Sequence, residues 1–345
     1  MAIKTLKNIK ILQNKNVLIR VDFDVPITKT GQVENTTRIE KCLPTIRYLL
    51  ERNAKVILLT KLGRPQEDKR ISTKILIPLL EKFLNKKIIW LSDPLNSEIP
   101  NLLNKPNNLF LLENIRFYKE EENRDENFAK ALAKPYDLYV NEAFAMCHRN
   151  DASVSLIPKF LPSYAGLRLM EEYNTLTNLI KNPKRPFIAI IGGAKVETKL
   201  STIENLAIIS DKVLIGGKLS LELNPNLLKS PKIINSKDWI DNKDIGPKTI
   251  ALFKEELSKA KTIVWNGPMG MFEDEKYAKG TKEIAQFISN LNTFKVIGGG
   301  DTISAITKAG VLDKMDFVSM GGGAMLVLLS GKNLPGISAL KENDL

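Results

Sequence analysis

Short apolar runs alternate with stretches of helical period along nearly the whole chain. Residues 17–25 form an aliphatic and β-branched run closed by Pro26, which predicts a strand. Residues 37–50 follow, with Ile39, Leu43, Ile46, Leu49 and Leu50 at helical spacing. The alternation continues with strands predicted at 55–60, 87–91, 108–112 and 137–141 and a helix at 74–84. A longer, polar-faced helix is predicted from Tyr164 to Ile180, and Asn182-Pro183-Lys184-Arg185-Pro186 breaks it. The pattern then restarts, with strands at 187–191, 213–215, 262–265, 296–298 and near 317–320. Strands separated by helices predict mostly parallel sheets, so the expected class is α/β, with two domains across 345 residues.

Ligands of parallel sheets gather beyond the carboxyl ends of the strands, and in the first half those ends carry charge. Arg20, Asp22 and Asp24 alternate along the first strand, Lys61 and Arg64 follow the second, Arg116 follows the strand at 108–112, and Arg149 follows the strand at 137–141. Arg38 opens the first helix. A lone arginine is ordinarily a surface ion pair, but recurrence after successive strands suggests a cradle for phosphate and carboxylate, which planar guanidinium forks suit. A lone histidine is more often structural than a general base, so His148, the single histidine, is left outside the chemistry.

In the second half the strand ends are glycine-rich instead. Gly192-Gly193-Ala194-Lys195-Val196-Glu197-Thr198-Lys199 places two lysines four apart on one helical face directly after a glycine turn. An exposed helix face would explain them too; beside Gly-Gly they suit phosphate. Gly298-Gly299-Gly300-Asp301-Thr302 joins a strand to a helix start, where free amides and the helix dipole favour an anion. Asp301 is misplaced beside phosphate unless a divalent cation lies between, so nucleotide with Mg2+ is the expected ligand. Val213-Leu214-Ile215-Gly216-Gly217-Lys218 is not a P-loop, since the spacing is wrong and Leu219 stands where a hydroxyl would be needed.

Composition adds limits. The formal charge is +12, from 51 Lys and Arg against 39 Asp and Glu, which suggests an anionic partner without naming it. With 7% aromatic residues and no basic run interleaved with aromatics, nucleic acid is not expected. Two distant cysteines, Cys42 and Cys147, exclude a disulfide framework and fit a reducing compartment. No apolar run approaches the ~20 residues of a membrane span, and the first residues lack a signal-peptide core, so a cytoplasmic protein without membrane partners is expected.

In order along the chain stand VLIRVDFDVP, LGRP, LLENIRF, NEAF followed by His148-Arg149, GGAKVETK, DIGPKT, VWNGPMGMFE, IGGGDT and a final GGGA with LPG. Together they make the chain resemble the phosphoglycerate kinases almost end to end. The resemblance implies two Rossmann-like domains joined by a linker helix: 1–162 for the acid substrate, 163–182 the linker, 183–328 for nucleotide, and 329–345 returning to the N-terminal domain. It also implies a monomer whose cleft closes to pass a phosphoryl group between 1,3-bisphosphoglycerate or 3-phosphoglycerate and ADP or ATP. By the same likeness Asp22, Asp24, Arg38, Lys61, Arg64, Arg116 and Arg149 are expected at the acid substrate. Lys199, Gly246, Asn266, Glu273, Gly299, Gly300, Asp301 and Thr302 are expected at the nucleotide, with Asp301 serving the metal. Arg38, Lys195 and Lys199 are the expected catalytic cations.

Four departures qualify the likeness. Asp24 stands where the family has Asn, Lys61 and Asp151 where it has His, and the stretch between Gly217 and Asp244 is shorter by about a helix and a strand. Asp24 and Lys61 are expected to compensate each other as an ion pair. Lys218, replacing a family glycine, and the shortening bear on the base pocket. An alternative reading is therefore a catalytically weakened relative that binds nucleotide or metabolite.

Overall fold

A computed structural model describes residues 2–63, 70–106, 108–194, 199–223, 230–343 and 345. It separates into two compact units, Met1–Asn174 with Asn333–Leu345, and Thr175–Lys332.

Unit 1 is built on six strands: β1 (Asn16–Arg20), β2 (Lys55–Leu59), β3 (Ile89–Leu91), β4 (Leu109–Leu112), β5 (Leu138–Asn141) and β6 (Ser163–Ala165). They pair in the order β3-β4-β2-β1-β5-β6, every pair parallel. Val17, Ile19, Val56 and Leu58 enter one apolar cluster, whereas Leu18, Ile57 and Leu59 enter another. Both faces are thus covered, which is why these strands read as continuous apolar runs. The cover comes from α1 (Thr37–Glu51), α2 (Ile77–Leu84), α3 (Ile99–Leu103), α4 (Lys119–Glu122), α5 (Glu126–Ala133), α6 (Ala152–Ser155) and the start of α7 (Leu167–Lys181). In α1 the five positions picked out by periodicity, Ile39, Leu43, Ile46, Leu49 and Leu50, are all buried.

Two elements differ from the pattern-based expectation. The first strand ends at Arg20, not near Pro26: Val21 still donates to the Leu59 carbonyl, but beyond it Asp22 and Asp24 turn to cationic partners and leave the ladder. Residues 163–165, expected to begin a helix, instead pair with β5, and α7 starts only after Gly166. Three residues are too few to show a period.

Unit 2 repeats the architecture with β7 (Phe187–Ile191), β8 (Lys212–Ile215), β9 (Ile233–Asn235), β10 (Trp239–Ile240), β11 (Asp244–Ile245), β12 (Thr262–Asn266), β13 (Phe294–Gly298) and β14 (Phe317–Ser319). The order β14-β13-β12-β7-β8-β9 is parallel, and β10 pairs β11 as a small antiparallel ribbon. Its helices are α8 (Leu200–Ile209), α9 (Leu219–Glu222), α10 (Pro247–Leu257), α11 (Lys279–Ser289), α12 (Gly300–Lys308) and α13 (Gly322–Leu329). Trp265, Phe253 and Ile297 sit in its core. The final helix, α14 (Pro335–Lys341), belongs to unit 1, where Gly336 donates to the Cys147 carbonyl at 3.0 Å. No helix among the described residues is long and apolar enough to cross a membrane. Cys42 and Cys147 are buried free thiols.

Candidate active site

In unit 1 the carboxyl ends of β1, β2, β4 and β5, the four central strands, carry the charged residues. Arg38, in the first turn of α1, donates from Nη1 to Asp22 Oδ2 at 2.5 Å. The neighbouring Asp22 raises the Arg38 pKa, with burial opposing and Asp24 adding to the rise. Asp22 Oδ1 is buried without a hydrogen-bond partner among the described residues, an acceptor left over in an otherwise charged corner. Lys61, just past β2, pairs with Asp24 Oδ2, and Gly63 N donates to Asp24 Oδ1 at 2.9 Å. Burial lowers the Lys61 pKa, Asp24 opposes it, and the fields of Arg116 and Arg20 push it lower still. Lys61 therefore links the Arg38 corner to that of Arg116.

Arg116 follows β4 and Arg149 follows β5, and the two guanidinium groups share two carboxylates. Arg116 Nη2 lies 2.8 Å from Asp151 Oδ2, and Arg149 Nε lies 3.0 Å from the same oxygen. Glu122 Oε1 completes a four-membered ring, facing Arg116 Nη1 and accepting from Arg149 Nη2 at 3.0 Å. Glu122 was not singled out in the sequence. Its signal was Glu120-Glu121-Glu122, on a one-turn helix directly after Arg116. Arg64 lies outside the described residues.

Arg20, grouped by sequence with the anion-facing arginines, is placed otherwise. It is fully buried, donating from Nε to Ser153 Oγ at 3.0 Å and from Nη1 to the Val21 carbonyl at 2.7 Å. Ser153 in turn donates from N and Oγ to the buried Glu121. Burial raises the Glu121 pKa and the Arg20 charge opposes that rise. This buried network ties β1 to α4 and α6, and so holds the loops that present Arg116 and Arg149. Half-buried His148 has its pKa lowered by burial and by Arg149.

Unit 2 arranges backbone rather than charge. Lys199 caps α8 in a buried position and donates from Nζ to the Gly192 carbonyl. Burial lowers its pKa to about 8, with the Asp301 charge opposing. Lys195 lies outside the described residues. Gly299, at φ +98°, lets β13 turn into α12, and a side chain there would fall 2.8 Å from Asn266 Nδ2. Asn266 Nδ2 donates to the Gly298 carbonyl at 2.7 Å, and Thr302 Oγ1 accepts from Gly267 N at 2.7 Å. These two side chains lock the glycine turns of β12 and β13 to each other. Gly246 is the N-cap of α10, packed on Asp238, whose carboxylate accepts from Lys248 N and Thr249 N.

A cavity of about 490 Å³ opens over these turns. Gly193, Ala194, Glu273 and Asp301 line it, as do Lys218, Lys243, Met271 and Phe272. Glu273 and Asp301 thus reach the cavity, Asn266 and Thr302 hold the turns beside it, Gly300 lies exposed at the start of α12, and Gly246 is not among the residues that line it. Asn242 and Lys243 were not foreseen, since they sit on the turn of the β10–β11 ribbon with Asp241 and Asn242 in left-handed conformation. Lys218 pairs with Glu222 at 3.0 Å.

Among the described residues no group of three His, Cys, Asp or Glu side chains could hold a metal by itself. Two exposed carboxylates reach the cavity, Glu273 and Asp301, the latter in the first turn of α12 beside the glycine turn. That donor set fits Mg2+, which binds through one or two carboxylates together with substrate phosphates.

The phosphoglycerate kinase family profile matches residues 6–226 and 224–332. The chain is 40% identical to the phosphoglycerate kinase of Prochlorococcus marinus, over 96% of this chain and 97% of that protein. It is 40% identical to that of Dictyoglomus turgidum, over 99% of this chain and all of the relative. The alignment with the latter runs to 398 positions, longer than the 345 residues here, so the chain lacks segments the relative has. Among solved structures, phosphoglycerate kinase from Pyrococcus horikoshii superposes with a TM-score of 0.87 at 29% identity, covering 98% of each chain. That from Coxiella burnetii superposes at 0.84 and 31%, covering 99% of each.

Proposed function

The chain belongs to the phosphoglycerate kinase family, and from that premise we propose how its residues perform the family's reaction. The activity is a phosphotransfer with a carboxyl group as acceptor: 1,3-bisphosphoglycerate and ADP exchange reversibly with 3-phosphoglycerate and ATP, a step of glycolysis and gluconeogenesis. Phosphoryl transfer asks little covalent chemistry of a protein and much alignment and charge stabilisation.

Unit 1 holds the acid substrate in this reading, and unit 2 the nucleotide. Arg38, oriented by Asp22, and Arg64, Arg116 and Arg149 bind its carboxylate and phosphate ester, with Asp24 and Lys61 completing the wall. In the ATP-forming direction the nucleophile is a β-phosphate oxygen of ADP; in reverse it is the carboxylate of 3-phosphoglycerate, and the ADP oxygen leaves. Lys199 is the observation that carries the assignment. It is a buried lysine at a glycine turn, with Nζ on the Gly192 carbonyl and the charge of Asp301 opposing the loss of its proton that burial favours; in this reading Nζ turns to a phosphate oxygen when nucleotide binds. Lys199 and Arg38 spread the charge of the transferring group, with Lys195 assisting; the amides at the start of α12 and the frame built by Asn266 and Thr302 receive the nucleotide phosphates. Mg2+ arriving with the nucleotide would be held by Asp301 and would neutralise phosphate charge.

A cytoplasmic monomer without nucleic-acid or membrane partners completes the proposal, supported by the two free thiols and by the absence of basic runs with aromatic platforms. The test is chemical. Incubation with ATP, Mg2+, 3-phosphoglycerate and hydroxylamine should yield the hydroxamate of the acyl phosphate. ATP binding without hydroxamate would instead mark a binding protein.

A further inference from the structure

The described cations of the acid site and its carboxylates balance one for one: Arg38, Lys61, Arg116 and Arg149 stand against Asp22, Asp24, Asp151 and Glu122. The substitutions that set this chain apart do not contribute equally. Asp24 brings a carboxylate and Lys61 brings the cation that takes it, so the pair cancels. Asp151 brings a carboxylate with no added cation, and it lies on the two arginines the site needs. The Arg116 and Asp151 side chains are each only 5% exposed, so the contact between them is poorly screened.

We infer that Asp151, assisted by Glu122, competes with the phosphate ester of the acid substrate for Arg116 and Arg149 and thereby sets the affinity of this site. The inference rests on the assignment of these arginines to the acid substrate. A guanidinium group presents its donors as a fork, and a phosphate takes two from one edge. Here Asp151 occupies Nη2 of Arg116 and Nε of Arg149, while Glu122 occupies Nη2 of Arg149 and faces Nη1 of Arg116. A dianionic ester entering this ring meets two carboxylates along with two arginines. It binds by displacing one carboxylate or by sharing a guanidinium edge with it, and either route costs affinity. Were Asp151 merely a brace that aims the arginines, removing its charge would loosen them and weaken binding. The two roles predict opposite signs.

The experiment is calorimetric titration of the full-length protein with 3-phosphoglycerate, for the wild type, Asp151→Asn and Glu122→Gln, at low and high KCl. Asp151→Asn should bind about three- to tenfold more tightly, the scale of one partly buried charge contact, and show a steeper loss of affinity with salt. Glu122→Gln, at a half-exposed position, should bind more tightly by a smaller factor. Thermal melts establish folding; should Asp151→Asn not fold, the sign of the Glu122→Gln change decides. A wild type that binds while neither folded variant binds more tightly overturns the inference alone. A wild type that binds no 3-phosphoglycerate overturns the assignment of the site, and the inference with it.

Discussion

Unit 1 and unit 2 share a sheet architecture and build the rims at their strand ends by opposite means. The rim of unit 1 is made of long charged side chains at four strand ends, each held by a carboxylate. The rim of unit 2 is made of glycine turns, helix starts and the buried Lys199. A side-chain site tolerates substitution where a second change restores charge, and the Asp24–Lys61 ion pair is proposed as such a repair. A backbone site has no equivalent repair, because the contact is the main chain itself and an added Cβ occupies the space.

The largest effect that would sharpen this contrast is expected at Lys199, the buried cation at the Gly192–Gly193 turn among the described residues. Lys199→Met should lower kcat by about 10²- to 10³-fold, as loss of a donor to the transferring group does elsewhere. A fall of less than tenfold would remove it from the chemistry. Next comes Gly267, at φ +91°, where a Cβ would lie 2.2 Å from the Gly192 carbonyl oxygen. Gly267→Ala should destabilise unit 2 by about 3 kcal/mol or more, combining backbone strain with a collision against main chain. Denaturant unfolding reads this directly, and a loss under 1 kcal/mol would show that the turn adapts.

A smaller effect follows from pH. Burial lowers the Lys199 pKa to about 8, so the ammonium dominates below that pH and the neutral amine above it. ADP affinity of the free protein should therefore weaken as pH rises through about 8, by up to about tenfold per unit, and Lys199→Arg should flatten the curve. Equal slopes in both proteins would assign the titration elsewhere. The smallest effect tests the repair in unit 1. Asp24→Asn should be tolerated less well beside Lys61 than beside Lys61→His, with a coupling of about 1 kcal/mol in a double-mutant cycle on kcat/KM. Additive effects would mean the two substitutions are independent.

Much of this was legible in the sequence because both faces of each sheet are buried. Continuous apolar runs located β1, β2, β4, β5, β7 and β12, and the period of residues 37–50 gave the buried face of α1. Short elements were not legible: Ser163–Ala165 is three residues long, and the β10–β11 ribbon is two residues a strand. Within the site, the strand-end positions of Lys61, Arg116 and Arg149 and the helix-start position of Arg38 could be read, but not their partners. Asp151 follows Arg149 closely, whereas Glu122 comes from α4, and only the folded loops bring both to one pair of arginines. Arg20 shows the limit from the other side: an arginine at a strand end, identical in pattern to its neighbours, is consumed by Ser153 and the Val21 carbonyl.

The most direct test of the division between the units is steady-state kinetics with 3-phosphoglycerate, ATP and Mg2+, varying each substrate for Arg38→Ala and Lys199→Met. Saturable turnover is expected in the wild type, with Arg38→Ala lowering kcat and raising KM for 3-phosphoglycerate while leaving KM for ATP near its starting value, and Lys199→Met acting on kcat and on the nucleotide. Absence of wild-type turnover with nucleotide binding retained, or an Arg38→Ala defect confined to ATP, would contradict the account.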